Sequence, residues 1–392
     1  LNTTQADKMK QLRLENDPLE KEKFLQRLDQ SLHTNGVIDL LRKGFRYKHL
    51  VLDMFYVRPS PGNETAAKLY AQNIFSVTRQ LQYSRQNPLL ALDVCLFLNG
   101  LPIATMELKN QLTKQNAADA VKQYKDERTP DEVLFGFKRC IVHFAVDDNE
   151  VRMCTELKGQ KSWFLPFNKG YNDGAGNPPN PDGIKTDYLW KEILRKDDFS
   201  NIIENYVQII CDEDEETHKK SYKQIFPRYH QLQLVTSLLA DAKRDGVGKR
   251  YLIQHSAGSG KSNSIAWLAH QLVTLKDATD HNIFDTVIVV TDRVNLDKQI
   301  RNTIRQFMQV SSTVGWAKDS SELGTLLEKG TKIIITIVHK FQFILEDISK
   351  LHTNRSFAIL IDEAHSSQNG DLSTKMNIVL SGSEYDLSLI HI

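Results

Sequence analysis

Two short apolar segments carry charged residues whose types and spacing suit the cutting of a phosphodiester bond. The segment 91–98 is apolar except for Asp93, and the returning segment 102–109 carries Glu107 and Lys109. Buried charges are costly unless they are paired or bind a metal, so these three residues need a reason to be there. Two converging carboxylates can hold Mg²⁺, and a lysine can orient or help deprotonate the attacking water and neutralise the phosphate. The pattern therefore indicates Mg²⁺-dependent phosphodiester hydrolysis, with Asp93 and Glu107 as metal ligands.

This chemistry requires the two segments to pair in one particular register. Side chains alternate along a strand, so Glu107 and Lys109 lie on one face. A two-residue turn at Asn99–Gly100 followed by regular pairing would put Asp93 on the opposite face. A three-residue loop over 99–101, or a bulge, would bring Asp93 to the same face. We predict this second arrangement.

A second site is predicted where a glycine-rich segment separates an apolar run from a helical stretch. The run 250–254 is followed by His255-Ser256-Ala257-Gly258-Ser259-Gly260-Lys261-Ser262 and a helix over 262–275. In such a loop, backbone N–H groups and the helix N-terminus hold phosphates, the lysine reaches the β- and γ-phosphates, and the serine hydroxyl holds Mg²⁺. The strict pattern has Gly where His255 stands, and a plain Gly/Ser turn is the alternative. The candidate ATP-binding residues here are Gly258, Ser259, Gly260, Lys261 and Ser262.

The carboxylates that ATP hydrolysis needs follow another apolar run. The run 357–361 leads into Asp362 and Glu363, far along the chain from Lys261. In a parallel sheet, a carboxylate at the carboxyl end of a strand lies beside the phosphate-binding loop. We expect Asp362 to hold Mg²⁺ through water and Glu363 to polarise the attacking water.

This half of the sequence resembles superfamily 2 helicases and translocases. The string Ile359–His365 resembles their DEAH box, and Gln231 resembles the residue that reads adenine. The segments 291–299 and 336–341 resemble the two motifs that touch the nucleic-acid backbone. Apolar runs that alternate with helical stretches predict a parallel sheet, in agreement with the RecA-like lobe that the resemblance implies. Because only 27 residues follow His365, we expect the second lobe and its arginine finger to be absent.

The first half resembles PD-(D/E)xK nucleases, and in particular the nuclease domain of the R subunit of type I restriction enzymes. The nuclease triad of that family falls on Asp93, Glu107 and Lys109, although Leu92 stands where Pro is usual. Family members often carry a Q-x-x-x-Y element, of which only Gln123 is carried over here. The strings that support the wider resemblance, which covers about residues 45–392, are Asn99–Pro102, Glu107–Asn110, Ala120–Tyr124 and Arg128.

The resemblance implies a Mg²⁺-dependent nuclease followed on one chain by an ATP-driven translocase of double-stranded DNA. It also implies modification (M) and specificity (S) subunits as partners. The implied fold is α/β, with a restriction-endonuclease-like domain built on a mixed sheet and then an incomplete RecA-like P-loop lobe with a mainly parallel sheet. One alternative is a type III-like restriction enzyme or a repair helicase-nuclease, but in the type III order the nuclease follows the motor. Another is a binding or scaffolding protein with decayed sites, which the intact charged residues disfavour.

Composition and charge agree with a globular, cytoplasmic protein. The formal charge is +1, with 40% hydrophobic and 25% charged residues, and no apolar run approaches the roughly 18 residues of a membrane span. The four cysteines show no C-x-x-C spacing, so we expect buried reduced thiols and no zinc site. Eight acidic residues between Asp197 and Glu216 precede a basic stretch. We therefore predict a nuclease domain over 1–211 with a helical start and a core at about 45–165, a linker over 212–224 and a first motor lobe over 225–392.

Overall fold

The computed structural model of the chain describes residues 3–60, 62–214, 217–256, 258–291, 294–307, 314–317, 320–337, 355–362 and 387–391. It divides into two compact units, Leu1–His230 and Gln231–Ile392. The first unit is built on a mixed six-stranded sheet and the second on a parallel six-stranded sheet, which confirms the predicted α/β class.

The first unit begins with helices that pack around a short hairpin. Asp17 caps the long second helix by accepting from the backbone N–H of Glu20, and Pro18 occupies its first turn. Phe24 of this helix packs edge-on against Phe45 of the hairpin. The helices of the unit are α1 (Ala6–Leu12), α2 (Pro18–Asn35), α3 (Val37–Lys43), α4 (Glu64–Ala71), α5 (Ala117–Glu127) and α6 (Lys196–Asn205). Short 3₁₀-helices lie at Gln111–Thr113 and Val133–Phe135, and a π-helical turn lies at Leu189–Ile193.

The main sheet of this unit carries the predicted nuclease residues. Its strands follow the hairpin of β1 (Phe45–Tyr47) and β2 (Leu50–Leu52), and are β3 (Phe75–Gln82), β4 (Ala91–Leu98), β5 (Leu101–Leu108), β6 (Val142–Val146), β7 (Val151–Cys154) and β8 (Leu165–Pro166). Neighbouring strands follow chain order, and all pairs are antiparallel except β5 with β6. Because parallel neighbours need a crossover, the chain between them forms α5, whose buried Ala117, Ala120 and Tyr124 pack on the sheet.

The segment predicted as a linker is a β-hairpin within the first unit. Strand β9 (Gln208–Glu213) pairs antiparallel with β10 (Lys220–Ile225). The opposite charges of the two sequence blocks face one another, as in the ion pair of 2.8 Å between Lys223 and Asp212. The buried Gln224 side chain donates to the carbonyls of the segment just before β6. Facing strands of opposite charge attract, so the sign change marks a hairpin, and the division between the units follows His230.

The second unit alternates strands with helices around its parallel sheet. The chain enters it along α7 (Tyr229–Asp245). The elements that follow are β11 (Arg250–Leu252), α8 (Lys261–Val273), β12 (Thr286–Thr291), α9 (Val294–Phe307), β13 (Val314–Trp316), α10 (Ser320–Glu328), β14 (Ile333–Ile337), β15 (Phe357–Ile361) and β16 (Leu387–His391). The strand order is β11-β16-β15-β12-β14-β13. Strands β12 and β15 are buried along their whole length, as their unbroken apolar runs predict.

Candidate functional site

A β-bulge brings the two predicted nuclease carboxylates to the same face of the sheet. Leu98 pairs with Leu101 across the two-residue Asn99–Gly100 turn, and the register then shifts by one residue next to Leu96. Beyond the shift, Val94 pairs with Met106, so that Asp93 and Glu107 are neighbours on adjacent strands. Both turn residues have positive φ, at 51° and 86°, the backbone form that an Asn-Gly turn favours. The predicted placement of Asp93 is therefore confirmed, and the bulge produces it.

Two hydrogen bonds hold the Asp93 carboxylate in one orientation. Its Oδ1 accepts from Gln80 Nε2 at 3.0 Å, and its Oδ2 accepts from the backbone N–H of Leu108 at 2.9 Å. Gln80 lies on edge strand β3 with φ at +50°, a left-handed conformation that is uncommon for a residue with a side chain. Backbone of this kind clusters at functional sites, and the sequence gives no signal of it.

The Glu107 carboxylate is fully buried and only one of its oxygens is paired. Oε1 accepts from Arg128 Nε at 2.6 Å, whereas Oε2 has no hydrogen-bond partner within the described part of the chain. Burial raises the pKa of Glu107 to about 8, because the loss of water and the neighbouring Asp93 carboxyl outweigh the attraction of Arg128. A buried carboxylate oxygen without a donor is an expensive group that a cation would satisfy.

Lys109 completes the predicted triad at the end of β5. Its Nζ donates to Gln123 Oε1 on α5 at 2.6 Å, so the structure brings Gln123 to the lysine. Tyr124, the next residue, points the other way into the core, where its hydroxyl contacts Thr105 Oγ1 at 2.8 Å. The Thr105 hydroxyl also contacts His143, whose pKa is lowered to about 3 by burial, so this buried network is neutral.

The surface beside Asp93 is open enough to admit a polymeric substrate. A groove of about 730 Å³ runs along β3 and β4. Its lining residues are Val77, Thr78, Arg79, Gln80, Asp93, Val94 and Leu108. The paired carboxylates are thus reached from solvent on the Asp93 side, while Glu107 is covered.

The donor set suits a hydrated divalent cation. Mg²⁺ is commonly held by one or two carboxylates and keeps several waters, and the unpaired Oε2 of Glu107 beside Asp93 meets that requirement. No group of three or more His, Cys, Asp or Glu side chains suited to a metal occurs among the described residues. Further ligands would therefore have to come from water, substrate or backbone.

The second predicted site lies in the second unit, between β11 and α8. Gly258 and Gly260 have φ values of 71° and 85°, which lets the loop curl ahead of the helix that begins at Lys261. His255 Nδ1 contacts Ser259 Oγ at 2.8 Å, so the His that replaces the usual Gly braces the loop. The backbone N–H of Asn263, in the first turn of α8, donates to the Gly260 carbonyl at 3.0 Å. The N-terminus of a helix that follows such a loop attracts phosphate, because its N–H groups and the helix dipole favour an anion.

The two halves of the predicted ATP site meet although they are distant in sequence. Lys261 Nζ forms an ion pair of 2.8 Å with Oδ1 of Asp362, at the carboxyl end of β15. Gln231 is buried and its Nε2 donates to the carbonyl of Gly260 at 2.9 Å, so the structure seats it against the phosphate-binding loop. Ser262 lies in the first turn of α8 beside Lys261. The predicted residue Glu363 lies outside the described residues.

The structure describes the two predicted nucleic-acid motifs only in part. Thr291 ends β12 and Thr336 lies one residue before the end of β14, on neighbouring strands of the sheet. Thr291 Oγ1 donates to the Thr336 carbonyl at 3.5 Å. Residues 292–293 and 338–341 of these motifs lie outside the described residues.

Comparisons with known families match each unit separately. Residues 7–162 match the family model described as "Type I restriction enzyme R protein N terminus". Residues 230–385 match the model described as "SWI2/SNF2 ATPase". The first match contains Asp93, Glu107 and Lys109, and the second contains Lys261 and Asp362.

Known relatives span both units in the same order. The chain is 26% identical over 315 residues to the type I restriction enzyme HindI endonuclease subunit of Haemophilus influenzae, covering 77% of this chain and 28% of the relative. It is 24% identical over 384 residues to the type I restriction enzyme SauMSSORF170P endonuclease subunit of Staphylococcus aureus, covering 95% and 37%. The chain thus resembles the R subunits of type I restriction enzymes in its first unit and along most of its length. It spans about a third of the length of these relatives.

Solved helicase structures align with part of this chain. The UvsW helicase from bacteriophage T4 aligns with a TM-score of 0.32 and 13% identity, covering 50% of this chain and 60% of that chain. The fold assignment follows from the strand order and not from so low a similarity. Among the described residues, no helix is long and apolar enough to cross a membrane.

The structure also identifies residues that sequence reasoning missed. Arg128 belongs to a string that supports the family resemblance, but nothing in the sequence assigns it to Glu107. Gln80 lies on the strand before the one that carries Asp93, and it belongs to no sequence motif. The cysteines follow the prediction in part: Cys95, Cys140 and Cys154 are buried, and Cys211 is partly exposed.

Proposed function

We propose that this chain carries the nuclease and the first motor lobe of an ATP-dependent DNA endonuclease. In this proposal the motor translocates double-stranded DNA, and the nuclease cleaves it. The partners are the M and S subunits of the same system, of which the S subunit reads the DNA sequence. The observation that carries the nuclease assignment is the placement of Asp93 next to Glu107 on adjacent strands, with Glu107 Oε2 buried without a donor among the described residues and an open groove beside Asp93.

In the proposed nuclease, Asp93 and Glu107 would hold Mg²⁺. The bound cation would supply a Lewis acid for the phosphate and would lower the pKa of the attacking water. Gln80 and the backbone of Leu108 already orient Asp93, so the Asp93 carboxylate would need little reorganisation to bind the cation. Lys109, held by Gln123, would orient the water and offset the charge on the phosphate.

In the proposed motor, the loop 258–262 would bind the phosphates of ATP. Lys261 would exchange its present partner Asp362 for the β- and γ-phosphates, which frees the Asp362 carboxylate to share Mg²⁺ with Ser262. Gln231 would contact adenine, and Glu363 would polarise the water. Completion of the ATP site, including an arginine finger, is assigned to a second lobe of the full-length subunit.

A pair of lysine substitutions separates the two proposed activities. In a full-length subunit assembled with its M and S partners, Lys109→Ala should abolish plasmid cleavage and leave ATP hydrolysis near wild type. Lys261→Ala should abolish ATP hydrolysis, translocation and cleavage together. Lys43→Ala is the control, because Lys43 is exposed and its ion pair among the described residues is with Asp39 on its own helix.

The outcomes distinguish the two assignments. Cleavage that survives Lys109→Ala, or ATP hydrolysis that falls with it, would contradict the nuclease assignment. ATP-dependent cleavage at the wild-type rate in Lys261→Ala would contradict the motor assignment.

A further inference from the structure

Arg128 is a buried cation whose whole guanidinium group is engaged. Its side chain is 3% exposed, and it sits at the carboxyl end of α5. Nε donates to Glu107 Oε1 at 2.6 Å, Nη1 to the Tyr83 hydroxyl at 3.0 Å, and Nη2 to the Ala91 carbonyl at 2.9 Å. Nη1 also lies 3.5 Å from the exposed Glu127 carboxylate.

These contacts tie Glu107 to β4, the strand that carries Asp93, and to the end of the neighbouring strand β3. Ala91 begins β4, two residues before Asp93, and Tyr83 directly follows β3. The Tyr83 ring also lies against the guanidinium, with 5.3 Å between the ring centroid and Cζ. Because the guanidinium is planar and is anchored at several points, the paired oxygen of Glu107 has little freedom to move.

Only one oxygen of Glu107 is used in this way. Oε1 accepts from Arg128, and Oε2 is buried without a hydrogen-bond partner in the described residues. A partner that fixes one oxygen of a carboxylate thereby fixes the direction of the other. Groups that orient a metal ligand in this way typically contribute 10-fold to 100-fold in metal affinity.

We infer that Arg128 is a positioning residue that presets Glu107 Oε2 to bind a divalent cation together with Asp93. The inference rests on the proposed nuclease function and adds to it a residue outside the triad. Arg128 itself touches neither substrate nor metal. Its effect is on metal affinity, through the orientation of Glu107.

Binding of Mn²⁺ to the full chain without nucleotide, measured by electron paramagnetic resonance, tests this role independently of cleavage. The site is defined by the difference in bound Mn²⁺ between wild type and Glu107→Ala. Arg128→Gln should weaken binding at this site by about 10-fold to 100-fold. Arg128→Lys should restore part of the affinity, because it keeps the charge but cannot keep all the anchors.

Two further variants guard against a merely structural effect. Tyr83→Phe removes one anchor of the guanidinium without removing its charge, and it should weaken Mn²⁺ binding in the same direction by a smaller factor. Arg139→Gln is the matched control, because Arg139 forms an ion pair of equal length, 2.6 Å, with Asp29 of α2. This control should bind Mn²⁺ as wild type does.

The possible results separate the inference from the function on which it depends. Wild-type affinity in a folded Arg128→Gln chain would overturn the positioning role and leave the nuclease proposal standing. If Arg128→Gln does not fold, an unchanged affinity of Tyr83→Phe for Mn²⁺ would overturn the positioning role instead. Equal Mn²⁺ binding by wild type and Glu107→Ala would overturn the metal site itself, and the inference with it.

Discussion

The stability of the first unit should fall with rising pH because of Glu107. The ordinary pKa of a glutamate is 4.5, and burial raises that of Glu107 to about 8. Between these values the folded chain holds a proton that the unfolded chain releases, so the contribution of Glu107 to stability is greatest below pH 4.5 and is lost as pH rises through 8. The difference corresponds to about 5 kcal/mol of unfolding free energy, of which about 3–4 kcal/mol falls between pH 5 and pH 8.

Replacing Glu107 by Gln removes this titration and leaves the side-chain volume unchanged. Above pH 8, where Glu107 is ionised, the substitution also leaves the buried Arg128 without a charged partner, which lowers stability there. The absolute stability of Glu107→Gln is therefore less informative than its pH dependence. Between pH 5 and pH 8 the variant should lose about 3–4 kcal/mol less unfolding free energy than wild type does.

Cys95 offers a local probe of this unfolding. It is fully buried on β4, so its labelling by a thiol reagent at increasing urea concentration reports the opening of this sheet. The measurement is made at pH 5 and pH 8 in EDTA, with an aromatic disulfide that labels thiols at both values. Glu150→Gln is the control, because the Glu150 carboxylate is partly exposed beside Arg152. If the unfolding free energies of wild type and Glu107→Gln change equally between pH 5 and pH 8, Glu107 does not cause the pH dependence.

Three further predictions follow from single contacts. Gly260→Ala should weaken nucleotide binding, measured with a fluorescent ATP analogue, because its Cβ would lie 2.5 Å from Gln231 Nε2; Gly246→Ala, with a similar φ and nothing within 4 Å, should not. Gln224→Ala should lower the unfolding free energy of the first unit by about 1–3 kcal/mol in urea titrations, because buried carbonyls lose their donor; an unchanged midpoint would contradict this. Cys211 should react first with a thiol reagent at neutral pH, because burial raises the pKa of the other three thiols. Mass spectrometry of the labelled peptides identifies which cysteine has reacted. Equal labelling rates for all four thiols would argue against the burial of the other three.

Much of the site was predictable because its signals are local in sequence. Glu107 and Lys109 are two residues apart on one strand, and the glycine-rich loop lies between a strand and a helix. The bulge was predictable as one of two registers, since only that register puts Asp93 on the side of Glu107. The approach of Lys261 to Asp362 followed from a rule about parallel sheets, in which the carboxyl ends of the strands share one edge.

Other features could not be read from local patterns. The acidic and basic blocks around residue 217 predict a linker by their charge, but pairing across a hairpin makes opposite charges neighbours. Tyr124 and Gln123 are adjacent on α5, yet one enters the core and the other meets Lys109, because successive residues of a helix face different directions.

The sequence by itself determined which residue types are available for each reaction and which elements carry them. Periodicity and turn residues encode those elements, because they act over a few residues of chain. Only the tertiary structure decided that Arg128 pairs with one oxygen of Glu107, that Gln80 holds Asp93, and that the other Glu107 oxygen is buried without a donor among the described residues. These pairings depend on packing between segments distant in the chain, where burial makes each unpaired polar atom costly and so selects its partner.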